Sequence, residues 1–168
     1  MTSNSLFTRI FSFSDASRWL ALAMLLVFGA TSLQALPTAN LPWTTNYANA
    51  VTQAKKENKK ILLNITGSDW CPWCVKLDED VFNTPEFGRY ARSHYVLVTV
   101  DFPRKTKLPD ALAKQNYLLK EKYAPDAGFP AIVLLGADEK PLNLLNGYLP
   151  GGPTRYLAAL DKDFAAGK

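Results

Sequence analysis

The stretch "ITGSDWCPWCVKLDEDVF" at residues 65–82 contains both cysteines of the chain, Cys71 and Cys74. It overlaps the end of the apolar run "KILLNIT" at residues 60–66, which is typical of a buried central strand. The residues after the first cysteine predict a helix that ends at about Phe82. The two thiols therefore lie three positions apart, where a buried strand passes into a helix.

The remaining elements follow from hydrophobic periodicity and turn residues. Trp43, Tyr47, Val51 and Ala54 recur near helical spacing and predict an amphipathic helix over residues 43–60. The sequence further predicts helices at 85–93 and 109–124, strands at 95–102, 130–136 and 141–148, and a C-terminal helix that starts at Pro153 and presents Tyr156, Leu157, Leu160 and Phe164 as its apolar face.

The order of these elements indicates a fold class. Strands separated by a helix imply parallel pairing through right-handed crossovers. The last two strands, joined by the short turn "ADEK", imply an antiparallel hairpin. We therefore predict an α/β fold with a mixed central sheet and helices on both faces.

This element order resembles the thioredoxin superfamily. The most specific parts of the resemblance are "WCPWC" at residues 70–74, "GFPAIVLL" at 128–135 and the hairpin that follows it. It covers most of residues 43–166 and is strongest for exported bacterial thioredoxin-like proteins. The resemblance implies a thioredoxin-like fold and a redox-active dithiol.

Bulk composition limits the possible partners. A length of 168 residues accommodates one ordinary domain, and an apolar content of 48% fits a globular core. The net charge of +4 comes from scattered lysines and arginines. The densest run, Lys55, Lys56, Lys59 and Lys60, is interrupted by Glu57 and is typical of a solvated helix face. No nucleic-acid partner is predicted.

The N-terminal segment predicts export. Arg9 and Arg18 precede the apolar run "WLALAMLLVFGA" at 19–30, which spans about 18 Å as a helix against the roughly 30 Å of a bilayer core. This pattern is typical of a cleaved secretory signal and predicts the bacterial periplasm, an oxidising compartment. The predicted divisions are a signal peptide at 1–35, a linker at 36–42 and a thioredoxin-like domain at 43–168. An uncleaved segment would instead attach the protein to the membrane.

The spacing of the thiols suggests distinct chemical roles. A thiol reacts as its thiolate, whose formation requires a pKa lowered from about 8.5. With Cys71 at the N-cap and Pro72 as the first helical residue, free amides and the helix dipole stabilise the Cys71 thiolate. Cys74, one turn along, is placed to attack a mixed disulfide on Cys71. We predict Cys71 as the nucleophile, reachable from solvent, and Cys74 as the resolving thiol.

Several other roles compete with a redox role for the two cysteines. A structural staple is disfavoured, since so small a ring contributes about 2 kcal/mol against about 3 kcal/mol for a 15-residue loop. Structural zinc needs four ligands, and His94 is the only histidine. A copper(I) metallochaperone using both thiolates stays open, because soft ligands favour that ion. A non-catalytic binding module with a passive disulfide also stays open.

The resemblance assigns substrate contact to residues around the dithiol. Trp70 matches the family tryptophan that borders the substrate surface, and Pro72 and Trp73 extend this apolar surface. The Phe129–Pro130 bond is implied to be cis and to face the cysteines, with the Phe129 backbone available to an extended substrate strand. The Pro-Trp pair departs from the Gly-Pro of typical thioredoxins, which leaves the direction of electron flow open.

One family feature is missing. Typical thioredoxins carry a buried aspartate six positions before the first cysteine, where it accepts the proton of the second cysteine, but this chain has Ile65 there and Asn64 beside it. No spacing argument makes Asp69, Asp78 or Glu79 the replacement, and all three are predicted to be solvent-exposed.

The sequence as a whole predicts an exported thiol-disulfide oxidoreductase. Its predicted partners are protein substrates with disulfides or thiols and an upstream redox protein. No organic cofactor or metal is implied. A reductase is slightly favoured over an oxidase or isomerase, because no dimerisation or helical insertion segment is visible.

Overall fold

A computed structural model describes residues 40–167. The predicted signal peptide and most of the predicted linker lie outside the described residues. Within residues 40–167, none of the helices combines the length and apolar character needed to cross a membrane. The elements, in chain order, are α1 Tyr47–Glu57, β1 Lys60–Thr66, α2 Pro72–Leu77, a π-helical segment Asp78–Phe82, α3 Pro85–His94, β2 Tyr95–Asp101, α4 Asp110–Tyr123, β3 Ala131–Leu135, β4 Pro141–Asn146, α5 Gly152–Leu160 and α6 Lys162–Ala165.

The strands form one mixed sheet in the order β2-β1-β3-β4, which confirms the predicted fold class. β1 pairs parallel with β2, and β3 and β4 form the antiparallel hairpin. β3 also runs antiparallel to β1, a pairing that the element order alone does not determine. The interior strand β1 ends at Thr66, shortly before the cysteines. Helix α2 therefore begins close to the C-terminal end of this strand.

Each face of the sheet carries its own apolar core. Ile61, Leu63 and Ile65 of β1 pack with α1 and α4 on one face. Leu62 packs on the other face with Leu77 and with residues of the π-helical segment, α3 and α5. Successive side chains of a strand point to opposite faces. The polar residues at positions 64 and 66 therefore share the face of Leu62, beneath the active-site helix.

The first helix begins later than predicted. It starts at Tyr47 and not at Trp43, because the Asn46 side chain caps it by accepting the N–H of Asn49. Trp43 lies outside the helix and packs its ring against Phe82, with ring centroids 5.3 Å apart, in the core on the other face of the sheet. The apolar pattern from Trp43 to Ala54 therefore combined residues of two different cores, because Trp43 packs on one face of the sheet and Tyr47, Val51 and Ala54 pack on the other.

The predicted C-terminal helix is interrupted at Asp161. This residue has extended backbone angles between α5 and α6. Its buried carboxylate accepts hydrogen bonds from Lys60 and from the Tyr95 hydroxyl, and from the N–H of Asp163. Burial raises the pKa of Asp161, but the hydrogen bonds from Lys60 and Tyr95 outweigh it and the pKa lies below its ordinary value. The carboxylate thus ends one helix and caps the next.

Candidate active site

Cys71 is the N-cap of α2, the position predicted from its spacing. Its backbone is extended, with φ −97° and ψ 102°, and Pro72 occupies the first helical position, where a missing N–H costs nothing. The N–H of Cys74 donates to Cys71 Sγ at 3.2 Å. A donor and the positive end of the helix therefore face the Cys71 sulfur, the arrangement that favours a thiolate.

The two sulfurs form a disulfide in this structure. The Cα atoms of Cys71 and Cys74 lie 5.3 Å apart, one turn of helix from each other. Cys74 is therefore close enough to attack a mixed disulfide on Cys71 without rearrangement of the helix.

The exposure of Cys71 differs from the prediction. Only 4% of the surface of Cys71 is accessible. The prediction that solvent reaches this residue is therefore wrong for the disulfide form. The disulfide turns the Cys71 side chain toward buried Cys74. Cys71 belongs to neither apolar core, and the next residues, Pro72 and Trp73, are exposed. Attack at Cys71 therefore requires movement of the side chains that cover it.

Trp70 is fixed beside the disulfide by the loop that follows β2. Its Nε1 donates to the carbonyl of Phe102 at 2.7 Å, and the Arg104 guanidinium lies 3.7 Å from a ring centroid. Gly67 permits this position, because a Cβ there would collide with the indole. The indole edge also meets the Phe129 ring, with centroids 5.2 Å apart. Trp70 is thus half-buried and held from several sides.

Trp73 forms an exposed aromatic surface on the other side of Cys71. It is 57% exposed and stacks on Tyr148 with ring centroids 5.5 Å apart. The Tyr148 hydroxyl donates to Asp80, which also pairs with Lys76 at 2.8 Å. The sequence alone did not decide between an exposed and a packed Trp73, because its partner Tyr148 comes from the segment after β4.

Phe129 and Pro130 lie at the same edge of the sheet. Their peptide bond is cis, as the resemblance implies. Pro130 is buried, and it lies one step beyond the Ile65–Ala131 pair, at the end of β1 that leads to the cysteines. Among residues 40–167, the backbone N–H and C=O of Phe129 have no hydrogen-bond partner. This leaves a short length of main chain next to Trp70 that can pair with an extended peptide.

Comparison with known proteins agrees with this geometry. A family model described as Thioredoxin-like matches residues 42–137. The chain belongs to this thioredoxin-like family. Disulfide bond reductase DsbH of Chlamydia pneumoniae is 38% identical over 123 residues, which are 73% of this chain and 72% of that protein. The predicted superfamily is thereby confirmed.

One further relative is less similar in sequence, and one solved structure is similar in fold. Thioredoxin-related protein DsbJ of Chlamydia pneumoniae is 25% identical over 109 residues, which cover 65% of this chain but only 31% of that protein. The solved structure of a DsbH oxidoreductase has a TM-score of 0.68 at 36% identity, and the match covers 80% of this chain and 93% of that chain. The fold is therefore that of the thioredoxin-like family.

Two carboxylates near the site are not the exposed groups that the sequence predicted. Asp69 is half-buried and accepts the N–H groups of Arg104 and Lys105 at 2.9 and 2.8 Å, and the bond from Arg104 is the main reason its pKa is lowered. It anchors the loop that carries the Trp70 contacts. Asp78 is also half-buried, and burial, with smaller contributions from Asp101 and Glu79, raises its pKa to about 6.

Two features of the sequence indicate that Asp78 lies near the dithiol. Asp78 follows Cys74 by four positions, the spacing of neighbours on one helix face. The polar residues Asn64 and Thr66 occupy alternate positions of an otherwise apolar strand. Glu79, by contrast, is exposed as predicted. Across residues 40–167, no group of three or more histidine, cysteine, aspartate or glutamate side chains is arranged to hold a metal ion.

In the reduced protein, Cys71 is expected to titrate below the ordinary thiol pKa of about 8.5, because the Cys74 amide and the helix N-terminus stabilise its thiolate. Cys74, buried behind it, is expected to titrate above Cys71. Alkylation rates measured across pH for Cys74→Ser and Cys71→Ser report the two thiols separately. Equal and ordinary pKa values at both sulfurs would contradict the assignment.

Proposed function

We propose that this chain is a thiol-disulfide oxidoreductase that acts on protein disulfides outside the cytoplasm, with Cys71 as nucleophile and Cys74 as resolving thiol. The observation that carries this proposal is the Cys71–Cys74 disulfide at the start of α2, with the Cys74 amide on the Cys71 sulfur. The similarity to disulfide bond reductase DsbH supports it. Copper(I) transport and passive binding have no comparable support.

The proposed reaction proceeds in two exchanges. The Cys71 thiolate attacks one sulfur of a client disulfide, forming a mixed disulfide and releasing one client thiolate. Cys74 then loses its proton and attacks Cys71 Sγ, which closes the protein disulfide and releases the second client thiolate. The client gains two electrons and the protein loses two. A separate redox protein must return these electrons for a second turnover.

The client-binding surface in this proposal surrounds Cys71. Trp73 offers an exposed apolar face, with Pro72 beside it. Phe129 offers main-chain groups near Trp70 that have no hydrogen-bond partner within residues 40–167. An extended polypeptide that pairs with Phe129 and rests a side chain on Trp73 brings its disulfide to the N-cap between them. Buried Pro130 positions the Phe129 backbone.

Reduction is the proposed direction of electron flow. The relative at 38% identity is named a disulfide bond reductase. Export is proposed from the pattern of the N-terminal residues, and in an oxidising compartment a reductase would repair disulfides formed between the wrong cysteines. Its reducing equivalents would come from an upstream redox protein, because the compartment itself does not supply them.

Removal of either thiol is expected to stop turnover in different ways. In an insulin-disulfide reduction assay with dithiothreitol as the electron source, Cys71→Ser should lose the activity because no mixed disulfide forms. Reduced Cys74→Ser, separated from dithiothreitol before insulin is added, should accumulate a mixed disulfide with insulin, detectable on a non-reducing gel, because no resolving thiol releases it. The proposal fails if the wild-type protein reduces no insulin, or if Cys71→Ser is as active as the wild type.

The direction of electron flow is tested by the equilibrium reduction potential of the Cys71–Cys74 pair. For a reductase we expect a value near the thioredoxin end of the scale, about −270 mV, and not near the DsbA value of about −120 mV. Equilibration with glutathione or dithiothreitol redox buffers, followed by alkylation and mass measurement, determines this potential. A value near the oxidising end would reverse the proposed direction without removing the thiol chemistry.

Trp73→Ala is expected to weaken the reaction with protein clients specifically. Loss of an exposed aromatic contact should raise the KM for insulin about fivefold, equivalent to about 1 kcal/mol. The rate with a small aromatic disulfide should stay unchanged, because this substrate does not need the surface. Tyr117→Ala is the matched control, since Tyr117 is 58% exposed but lies on α4, which packs on the opposite face of the sheet. Equal effects of the two substitutions would exclude a specific role for Trp73.

A further inference from the structure

We propose that Asp78 accepts the proton of Cys74 when this thiol resolves the mixed disulfide, an assignment that rests on the proposed oxidoreductase function. It names the group that activates the second thiol in a chain whose sequence lacks the family's buried aspartate. The observations that carry it are the position of Asp78 relative to Cys74, its burial, and two buried polar side chains on the sheet face that packs against α2.

The helix brings Asp78 next to Cys74. Asp78 is four residues further along, and its N–H donates to the carbonyl of Cys74. Side chains at this spacing share one face of a helix, with Cβ atoms about 5–6 Å apart. Cys74 is buried, with 2% of its surface exposed, so bulk water has little access to its thiol. A proton that leaves Cys74 needs an acceptor on the protein side of the disulfide.

Two polar side chains of β1 lie on the sheet face that packs against α2. Asn64 and Thr66 keep only 5% and 3% of their surface, and within residues 40–167 neither Asn64 Oδ1 nor Thr66 Oγ1 has a hydrogen-bond partner. Both share the strand face of Leu62, which packs against the active-site helix. Their unpartnered oxygens lie on the side of the sheet that α2 covers, and we infer that the protonated form of Asp78 donates to one of them. Buried polar atoms without partners are rare in folded proteins, and such a role would explain these two.

The charges around Asp78 set its proton affinity. Burial is the main influence, and the two ionisable groups that act on it, Asp101 at the end of β2 and Glu79 next to it, are both negative. α3 and α5 pack on the same segment through core residues such as Phe87 and Tyr156, whose phenol stays neutral because burial raises its pKa. The resulting pKa of about 6 leaves Asp78 ionised at pH 7 while still basic enough to take a proton.

The family position for the buried carboxylate is on the other side of the sheet. Ile65 occupies it and packs with Val100, its partner in register on β2, in the apolar core between the sheet and α1 and α4. In this chain the acidic residue lies at the end of the helix that carries Cys74 and not on the strand.

Resolution begins with a proton transfer between two side chains of the same helix. The carboxylate of Asp78 takes the proton of Cys74 Sγ, and the thiolate so formed attacks Cys71 Sγ in the mixed disulfide. The bond from Cys71 to the client sulfur breaks, and its electron pair leaves with the client thiolate. That thiolate takes up one proton, which Asp78 returns, so that Asp78 is unchanged and the client has been reduced by two electrons.

The test uses a nitrobenzoate disulfide that releases one coloured thiolate in each of the two exchanges. The reagent and the reduced full chain are mixed in equimolar amounts in a stopped-flow instrument, and the colour is followed with time. Attack by Cys71 appears as a bimolecular phase, and resolution by Cys74 appears as a later first-order phase. Asp78→Asn should slow the second phase about a hundredfold at pH 7, the lower end for a positioned acid–base group, and leave the first phase within about twofold. Glu79→Gln removes the adjacent exposed carboxylate, which has the smallest influence on the pKa of Asp78, and should leave both phases within about twofold.

The pH dependence separates proton transfer from a purely electrostatic or structural role. Asp78 is ionised above its pKa, so the wild-type resolution rate should rise as pH increases through about 6, and Asp78→Asn should lose this rise. Removing a negative charge near Cys74 lowers the thiol pKa, so an electrostatic role alone would make resolution faster in Asp78→Asn. Asp78→Glu, which keeps a carboxylate, should restore part of the rate and the pH dependence.

The outcomes of this experiment are distinct. An Asp78→Asn resolution phase that is unchanged or faster than wild type, or equally slowed in Glu79→Gln, overturns the assignment while the oxidoreductase function stands. If the wild-type protein shows no second phase at all, the proposed function itself fails. Loss of the pH dependence in Asp78→Asn, with its partial return in Asp78→Glu, supports Asp78 as the acceptor.

Discussion

The chemistry of this protein depends on where one helix begins. The N–H of Cys71 donates to the Gly67 carbonyl at 2.9 Å, which turns the chain sharply after β1 and places the next residue at the start of α2. Cys71 can then accept the N–H of Cys74 on its sulfur, because Pro72 supplies the first helical position without a competing donor. A helix that began one residue earlier or later would direct these amides at a different side chain.

The sequence predicts the elements with a strong local signal. The apolar run of β1, the N-cap cysteine and the β3–β4 hairpin each depend on neighbouring residues, and their predictions agree with the structure. The errors occur where distant residues decide. Asp161 interrupts a helix because Lys60, a hundred and one positions earlier, holds its carboxylate. Trp43 leaves the first helix because it packs with Phe82 in the other core. Periodicity does not contain this information.

Within the site, the residue types were predictable and their environments were not. The flanking tryptophans differ in exposure because their partners come from different segments. Trp70 is covered by the loop after β2, which Asp69 anchors through backbone N–H groups. Trp73 rests on Tyr148, which Asp80 holds in turn. Each indole is thus fixed by residues that are distant in sequence from the two cysteines.

The position of the acidic group near the dithiol affects its proton affinity. A carboxylate on an interior strand lies between two cores and is fully desolvated, which raises its pKa strongly. Asp78 lies on the helix at the margin of one core and keeps part of its solvent contact, so that its pKa rises only to about 6. Asn64 and Thr66 occur on the face of β1 that packs against α2, in place of apolar residues. The alternation of β1 thus keeps the core beneath α1 and α4 apolar at Ile61, Leu63 and Ile65, while the other face carries two polar side chains beside its own apolar core.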